Sequence, residues 1–338
     1  MSTITTAVLG VAHIHTPGFI KKLNDRAADV RVKAVYDVEP ERGKKRAGEL
    51  PGSDFVADFR AILADPDLQS VVICSETVQH PELVVAAANA GKHIFCEKPL
   101  GFGAADSKVM ADAIKKAGVI FQTGFFARCE PKHQFIKREV AAGNLGNITR
   151  VRYSNCHQAA LDGWFDTEWR WLADAKLAGG GAMLDLGAHP LDLIVNTYLP
   201  VEGDVVDVAA KLGNRGGRYG TEIDEYGTAL LTFASGATAV IEASWVDPVL
   251  RSPIEVFGTE GQIQVIDGEV RYFSKRVPGA DGKTPVTDLP AQGPHAFDLF
   301  FDAIQGKPLA VPLVTVDEAA TGSTIMERIY NASGRSTH

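Results

Sequence analysis

The sequence predicts an α/β fold in two parts, a doubly wound parallel sheet followed by an α+β domain with a large, mostly antiparallel open sheet. The first third of the chain alternates short Val/Ile-rich runs with amphipathic stretches. That alternation is typical of parallel strands covered by helices on both faces. Beyond about residue 125, apolar runs follow one another with few helical stretches between them, which favours an antiparallel or mixed sheet.

The predicted elements follow one another in the order that this fold class requires. In the first third we expect strands at residues 6–11, 32–37, 71–74, 93–97 and 119–123, and helices at 19–28, 39–50, 59–64, 81–90 and 104–117. In the remainder we expect helices at 132–142, 296–304 and 316–331, strands at 148–157, 205–212, 227–233, 237–245, 254–258, 261–266 and 269–273, and surface loops at 213–220 and 278–294. We therefore predict two domains, residues 1–125 and 126–338, with the last two helices packed back on the body of the protein.

Composition excludes several classes of protein. The chain has 338 residues, of which 45% are hydrophobic and 22% charged, which is ordinary globular usage. A net charge of -8 disfavours nucleic acid or an anionic membrane as a partner and leaves a small molecule. The first six residues carry no basic segment and no apolar run is long enough to span a membrane, so we expect a cytoplasmic protein. Neither a disulfide framework nor a metal site is indicated by the spacing of Cys74, Cys96, Cys129 and Cys156.

The first predicted strand runs into a turn that resembles a dinucleotide-binding loop. Such loops read G-x-G-x-x-G, with a tight turn at the first glycine and free helical N–H groups for a pyrophosphate. Only the first glycine is present here. An ordinary strand-to-helix turn is the alternative. The side chains of His13 and His15 either face the cofactor or fill the turn. The predicted cofactor-binding residues of this segment are Gly10, Ala12, His13, Ile14 and His15.

Asp37 ends the second predicted strand. A carboxylate at this position accepts hydrogen bonds from the ribose hydroxyls of NAD and repels the 2′-phosphate of NADP. No arginine follows it directly, so the sequence favours NAD over NADP. The alternative is an aspartate that simply ends a strand.

Lys98 follows the strand predicted at residues 93–97, within the segment Glu97-Lys98-Pro99. Ligands of doubly wound sheets bind at the carboxyl ends of the strands, which makes this lysine a candidate site residue. Pro99 disfavours a helical backbone at Lys98 and keeps it extended. In isolation the lysine could equally be a surface residue.

A glycine-rich segment from Gly179 to Asp192 carries the densest group of candidate residues. If the segment is one helix, Asp185, His189 and Asp192 share a face. A carboxylate beside an imidazole orients it and stabilises its protonated form, which suits proton transfer. Pro190 requires a kink or a helix start at this point. A capping aspartate with a core histidine is the alternative.

The Gly10 turn, Asp37, Glu97-Lys98-Pro99 and the segment from Gly179 to Asp192 together resemble the Gfo/Idh/MocA oxidoreductase family of glucose–fructose oxidoreductase and inositol dehydrogenase. The resemblance covers essentially the whole chain. It implies an NAD-dependent sugar or cyclitol dehydrogenase with a Rossmann domain over residues 1–125 and an α+β domain over 126–338. It further implies that the second domain binds the substrate and forms homodimers or homotetramers through its open sheet.

The resemblance also assigns roles to individual residues. It implies that Lys98 binds or protonates the reacting hydroxyl, that His189 is the acid/base and that Asp185 supports it, and it places Asp192 at the substrate. It adds three residues to the cofactor site, Ser75, His80 and Glu97. Three further residues with polar side chains suited to a sugar are predicted to bind substrate, namely Arg128, His157 and Arg170.

Two other functions use the same residues. In the first, NAD stays bound and transient oxidation of a ring carbon drives cleavage of a glycosidic bond. In the second, the chain senses NAD and sugar without catalysis. The presence of both Lys98 and His189 disfavours the sensor.

Overall fold

A computed structural model describes residues 3–337, and Met1, Ser2 and His338, at the ends of the two predicted domains, lie outside the described residues. The first part consists of β1 (Ile4–Leu9), α1 (Thr16–Asp25), β2 (Val30–Tyr36), α2 (Pro40–Ala47), β3 (Asp54–Phe55), α3 (Phe59–Leu63), β4 (Ser70–Ile73), α4 (His80–Asn89), β5 (His93–Cys96), α5 (Ala104–Ala117) and β6 (Phe121–Thr123). The second part consists of α6 (Pro131–Ala141), β7 (Ile148–Cys156), α7 (Ala175–Ala178), α8 (Ala182–Asp185), α9 (Ala188–Thr197), α10 (Leu199–Glu202), β8 (Val205–Gly213), β9 (Tyr226–Phe233), β10 (Thr238–Ser244), β11 (Ile254–Gly258), β12 (Gly261–Ile266), β13 (Glu269–Ser274), β14 (Asp281–Pro285), α11 (Ala296–Ile304) and α12 (Val316–Ala332).

The first sheet is parallel, with strand order β3-β2-β1-β4-β5-β6. Strand β4 is buried at all four positions, as a strand covered on both faces should be. The order reverses between β1 and β4, and ligands of such sheets bind in the crevice outside the strand ends at that reversal. The predicted doubly wound fold is confirmed. Helix α1 begins at Thr16 rather than at the predicted residue 19, because Pro17 fits the first turn, where no N–H is needed.

The second sheet has the order β14-β13-β12-β11-β7-β10-β9-β8 and is antiparallel except where β10 pairs with β7. This confirms the predicted mostly antiparallel sheet. The prediction of a loop across residues 278–294 is wrong in its first half, since β14 pairs there with β13 as an edge strand. Its residues are largely exposed, which explains why no apolar pattern marked it.

The last two helices connect the two parts of the chain. Phe297 of α11 stacks on Phe19 of α1, with ring centroids 4.6 Å apart, and meets Phe95 of β5 at 5.0 Å. Helix α12 packs against α5 and α9 and against β8. Among residues 3–337, no helix is both long and apolar enough to cross a membrane.

A buried hydrogen-bond cluster fixes the turn that leads into α8. The carboxylate of Asp224 accepts hydrogen bonds from the backbone N–H groups of Gly181 and Met183 at 2.9 and 2.8 Å, and from the Tyr330 hydroxyl at 2.6 Å. The Tyr330 oxygen in turn accepts the N–H of Leu184 at 3.2 Å. A Cβ at position 181 would lie 2.0 Å from the Asp224 carbonyl oxygen, so only glycine fits. Helix α12 therefore determines where α8 begins.

We expect Tyr330→Phe to destabilise the protein by about 1–3 kcal/mol, because it leaves Asp224 and two backbone N–H groups short of a partner. Urea unfolding measures this change. The matched control is Tyr36→Phe, since the Tyr36 hydroxyl makes no hydrogen bond to another described residue, and it should change stability by less. Equal effects of the two substitutions would contradict the role of the cluster.

Candidate active site

A buried ion pair connects the two parts of the molecule at the carboxyl end of β5. The Nζ atom of Lys98 lies 2.5 Å from Oδ1 of Asp185, the last residue of α8. The indole N–H of Trp245 donates to Oδ2 of the same carboxylate at 3.0 Å. Burial opposes ionisation of Asp185, but the Lys98 ammonium and these hydrogen bonds lower its pKa well below the ordinary range. The lysine side chain is only 2% exposed, so the cation is held in a largely dry site.

His189 lies close to this pair but is not bonded to it. Its ring packs against Phe125 and Phe126, with centroids 6.1 and 5.4 Å apart. Burial and the nearby Lys98 cation lower the pKa of His189 to about 3, against the opposing effect of Asp185. At neutral pH the imidazole is therefore uncharged and can accept a proton.

The segment is not one helix, so the condition for a face shared by Asp185, His189 and Asp192 is not met, and only His189 and Asp192 lie in the same helix. Helix α8 ends at Asp185 and α9 begins at Ala188. Pro190 lies in the first turn of α9, where its missing N–H costs nothing, and this is the helix start that the sequence required. Asp185 consequently bonds Lys98 and Trp245 instead of the imidazole.

Arg128 and Asp192 are bonded to each other rather than directed toward Lys98. The guanidinium makes two hydrogen bonds to the Asp192 carboxylate, at 2.8 and 2.5 Å, and also reaches Asn196 and Glu318. Both side chains are buried, so breaking the pair would leave an uncompensated charge. The two side chains are thus held by each other, and their substrate contacts stay a prediction.

The other two predicted substrate residues differ in position. His157 is half-buried, its ring lies 5.2 Å from that of Trp164, and burial lowers its pKa, with smaller effects from the charges of Asp185 and Lys98. Arg170 has a 58% exposed side chain and lies over the Tyr219 ring at 4.8 Å. Together with Glu76 it lines a cavity of about 700 Å³ between the two parts of the chain. The predicted substrate contact of Arg170 stays a prediction.

The turn after β1 has the geometry of a cofactor cradle. Gly10 has a φ of +79°, and a Cβ there would lie 2.3 Å from the Cβ of Ser75. The Ala12 carbonyl accepts the indole N–H of Trp171 at 2.9 Å, so the second half of the chain covers the turn. Ile14 is half-buried, and His15 precedes the first residue of α1.

Asp37 lies at the end of β2, and its carboxylate is fully engaged. Oδ2 accepts the N–H of Val11 at 2.7 Å and Oδ1 accepts that of Glu39 at 2.8 Å. An Nη2 atom of Arg42 lies 2.7 Å from Oδ1 and also 2.7 Å from Oε1 of Glu76. Arg42 was not among the predicted residues, because the prediction rested only on the residue directly after Asp37. The first turn of α2 brings this arginine back over the strand end, and its position in that predicted helix was the available signal.

Glu97 is fully buried beneath the turn. Its Oε2 accepts the Lys98 backbone N–H at 3.0 Å and lies 3.7 Å from Nε2 of His13. Its Oε1 lies 3.5 Å from Nδ1 of His15. Burial opposes its ionisation, but the histidines and Lys98 lower its pKa below the ordinary range. Burial likewise lowers the pKa of His13.

His80 supports the Lys98 segment from below. Its Nδ1 lies 3.1 and 3.2 Å from the carbonyl oxygens of Pro99 and Leu100, and the ring is fully buried. It holds the backbone that follows Lys98, and its predicted cofactor contact stays a prediction.

Comparison with known proteins places these features in a family. The family description "GFO/IDH/MocA C-terminal domain" matches residues 133–264, and "Oxidoreductase family, NAD-binding Rossmann fold" matches residues 4–125. A myo-inositol 2-dehydrogenase of Thermotoga maritima is 31% identical over 252 residues, which are 74% of this chain and 69% of that protein. The chain belongs to the Gfo/Idh/MocA oxidoreductase family. The resemblance drawn from the sequence is thereby confirmed.

One further relative and one solved structure are also similar to this chain. A levoglucosan dehydrogenase of Pseudarthrobacter phenanthrenivorans is 28% identical over 68% of this chain and 64% of its own length. A solved structure of levoglucosan dehydrogenase in complex with NADH and levoglucosan superposes with a TM-score of 0.80, at 22% identity, and covers 98% of both chains. At that identity the structural likeness shows the fold.

We expect the imidazole of His189 to stay neutral between pH 5 and 8, so its NMR resonances should not titrate there. A free histidine titrates near pH 6.5. Between pH about 3 and 6.5 the unfolded chain thus binds a proton that the folded chain does not, and His189 reduces stability as the pH falls.

Lys98→Met removes a cation that lowers the pKa of His189 and should move the titration of His189 to higher pH. Lys108→Met, at an exposed position, is the control, and a wild-type His189 titrating near 6.5 would contradict this electrostatic assignment.

Proposed function

We propose that this protein is an NAD-dependent dehydrogenase that transfers hydride between a secondary hydroxyl of a sugar, sugar derivative or cyclitol and nicotinamide. The observation that carries the proposal is the dry Lys98–Asp185 ion pair beside an uncharged His189, at the crevice where the parallel sheet reverses its strand order. Relatives named for inositol and levoglucosan oxidation support the substrate class.

The residues present fit a dinucleotide. Of the backbone N–H groups from Gly10 to His15, those of Ala12 and Ile14 donate to no other described residue and remain for a pyrophosphate. Asp37, Glu76 and Arg42 form the polar group at the end of β2 where the adenosine ribose of such cofactors is held. When bound, the nicotinamide supplies the hydride acceptor for the reaction.

The chemistry of this chain's own residues follows from their charges. Lys98 is a cation fixed by Asp185, so it can bind the reacting hydroxyl and stabilise negative charge on that oxygen. His189, uncharged and half-buried, accepts the hydroxyl proton. Trp245 holds Asp185 through its N–H group, which keeps the ammonium in one position. His157 supplies a polar contact to the sugar.

In this proposal residues 1–125 form the NAD-binding domain, and residues 126–338 bind substrate and form a homodimer or homotetramer. Leu230 and Phe273 support the assembly, since they lie on the outer side of the second sheet with 42% and 38% of their surface exposed. All four cysteines are free and buried, which supports a reducing compartment and hence the cytoplasm.

We expect Lys98→Met and His189→Gln each to lower kcat by about 10²- to 10⁴-fold, the usual contribution of a positioned acid or base. NAD binding, followed by thermal shift, should be retained. Lys115→Met, an exposed lysine on α5, is the control.

Full activity in the double variant Lys98→Met/His189→Gln would contradict the proposed chemistry. Release of an aglycone without net NADH would instead establish the NAD-retaining glycosidase. Binding of NAD and sugar with neither product would establish the sensor.

We expect Asp37→Ala to lower the ratio of kcat/KM for NAD over that for NADP by about tenfold or more. The substitution removes a carboxylate that repels a 2′-phosphate. It also frees the Arg42 guanidinium, and one charge-assisted hydrogen bond from that group to the 2′-phosphate accounts for about a tenfold change in the ratio. Adding Arg42→Ala should abolish the gain with NADP. An unchanged ratio would remove Asp37 from the cofactor site, and Asp112→Ala at an exposed position is the control.

A further inference from the structure

We propose that His13, His15 and Glu97 form a binding site for one divalent transition-metal ion beneath the turn after β1. Each residue offers one ligand atom, and these atoms all lie within 4.8 Å of one another. The site goes beyond the proposed dehydrogenase activity and does not depend on it. No local pattern predicts this site, because Glu97 is far from the two histidines along the chain and meets them only when β5 lies near β1.

The distances suit a metal ion after small shifts. The carboxylate oxygens lie 3.5 and 3.7 Å from the two imidazole nitrogens. Zinc bonds to nitrogen and oxygen ligands are about 2.0–2.2 Å, so tetrahedral ligand atoms lie roughly 3.3 Å apart. The two carboxylate–imidazole pairs need movements of a few tenths of an ångström, and a pair at the 4.8 Å limit of the cluster needs about 1.5 Å, which a turn of the partly exposed His15 ring supplies.

Glu97 provides an independent reason to expect a ligand. Its Oε1 atom is buried and has no hydrogen-bond partner among the described residues. A buried carboxylate oxygen without a partner is costly, and such groups are normally paired or bound to a metal. The same oxygen faces His15 and is the one a bound cation would satisfy.

Metal binding requires a change of tautomer at His13. The Nδ1 of His13 accepts the His15 backbone N–H at 3.2 Å, so without metal the His13 proton resides on Nε2. A metal on Nε2 displaces that proton, and the ring then carries its hydrogen on Nδ1 and loses this long hydrogen bond. The proton thus moves within the ring from Nε2 to Nδ1 without net release, and the cost of binding at His13 is the lost hydrogen bond.

The ligand set defines the chemical class of the ion. Two imidazoles and one carboxylate, without a thiolate, suit Zn²⁺, Fe²⁺, Co²⁺ or Ni²⁺ rather than Ca²⁺ or Mg²⁺. Glu97 and His13 are fully buried, whereas the side chain of His15 is 33% exposed. The ion therefore enters along His15, and a water or hydroxyl group from the crevice completes its coordination.

The test uses the whole protein, stripped of metal with EDTA and titrated with Co²⁺. We expect one equivalent to bind and to give visible absorption bands of a four- or five-coordinate site, which one equivalent of Zn²⁺ displaces. His15→Gln should weaken Co²⁺ binding by more than about tenfold, since even loss of an outer-shell partner costs that much. His93→Gln, at the start of β5, the strand that Glu97 follows, should bind as the wild type does.

Three results would overturn the site: no stoichiometric Co²⁺ binding, equal affinity in His15→Gln and the wild type, or equal losses in His15→Gln and His93→Gln. Thermal unfolding shows whether each variant is folded, and Glu97→Gln provides a second variant in the same assay. The measurement needs neither NAD nor substrate, so a failure of the proposed dehydrogenase activity leaves its outcome unaffected.

Discussion

The buried ion pair between Lys98 and Asp185 is the constraint on which the rest of the site depends. A lysine and a carboxylate removed from water are stable only when each neutralises the other, and removing one partner of such a pair costs about 3–5 kcal/mol. The lysine comes from the end of β5 and the aspartate from α8, so the pair fixes the two parts of the molecule at the crevice. The Asp224–Tyr330 cluster supports it from α12 by setting the start of α8.

The pair also sets the charge state of its surroundings. Burial and the Lys98 cation keep His189 neutral, which turns the imidazole into a proton acceptor instead of a second cation. A single ammonium beside an uncharged base is the arrangement that oxidation of an alcohol needs, since one group stabilises the oxygen and the other removes its proton. The Asp185 carboxylate makes no hydrogen bond to His189, and its charge opposes the lowering of the His189 pKa by burial and Lys98.

Sequence patterns identified the doubly wound sheet, the second sheet, and Lys98, Asp185 and His189 as candidates, because strand periodicity and local motifs are short-range properties. They do not show which partner a side chain takes when that partner lies in a distant segment. Arg128 binds Asp192, which no local pattern reveals, whereas Arg42 returns to Asp37 from the first turn of a predicted helix. The break between α8 and α9 was only half foreseen, since Pro190 marked a helix start but not which partner Asp185 would take.

The most direct test of the account is the stoichiometry of NADH and oxidised product when the purified protein is given NAD with inositols, aldoses, sugar acids and aryl glycosides in turn. The account predicts that one ring polyol or sugar yields one ketone or lactone for each NADH that accumulates. Turnover of a substrate without net NADH would contradict it, because the Lys98–His189 arrangement would then serve a reaction in which the hydride returns to the sugar.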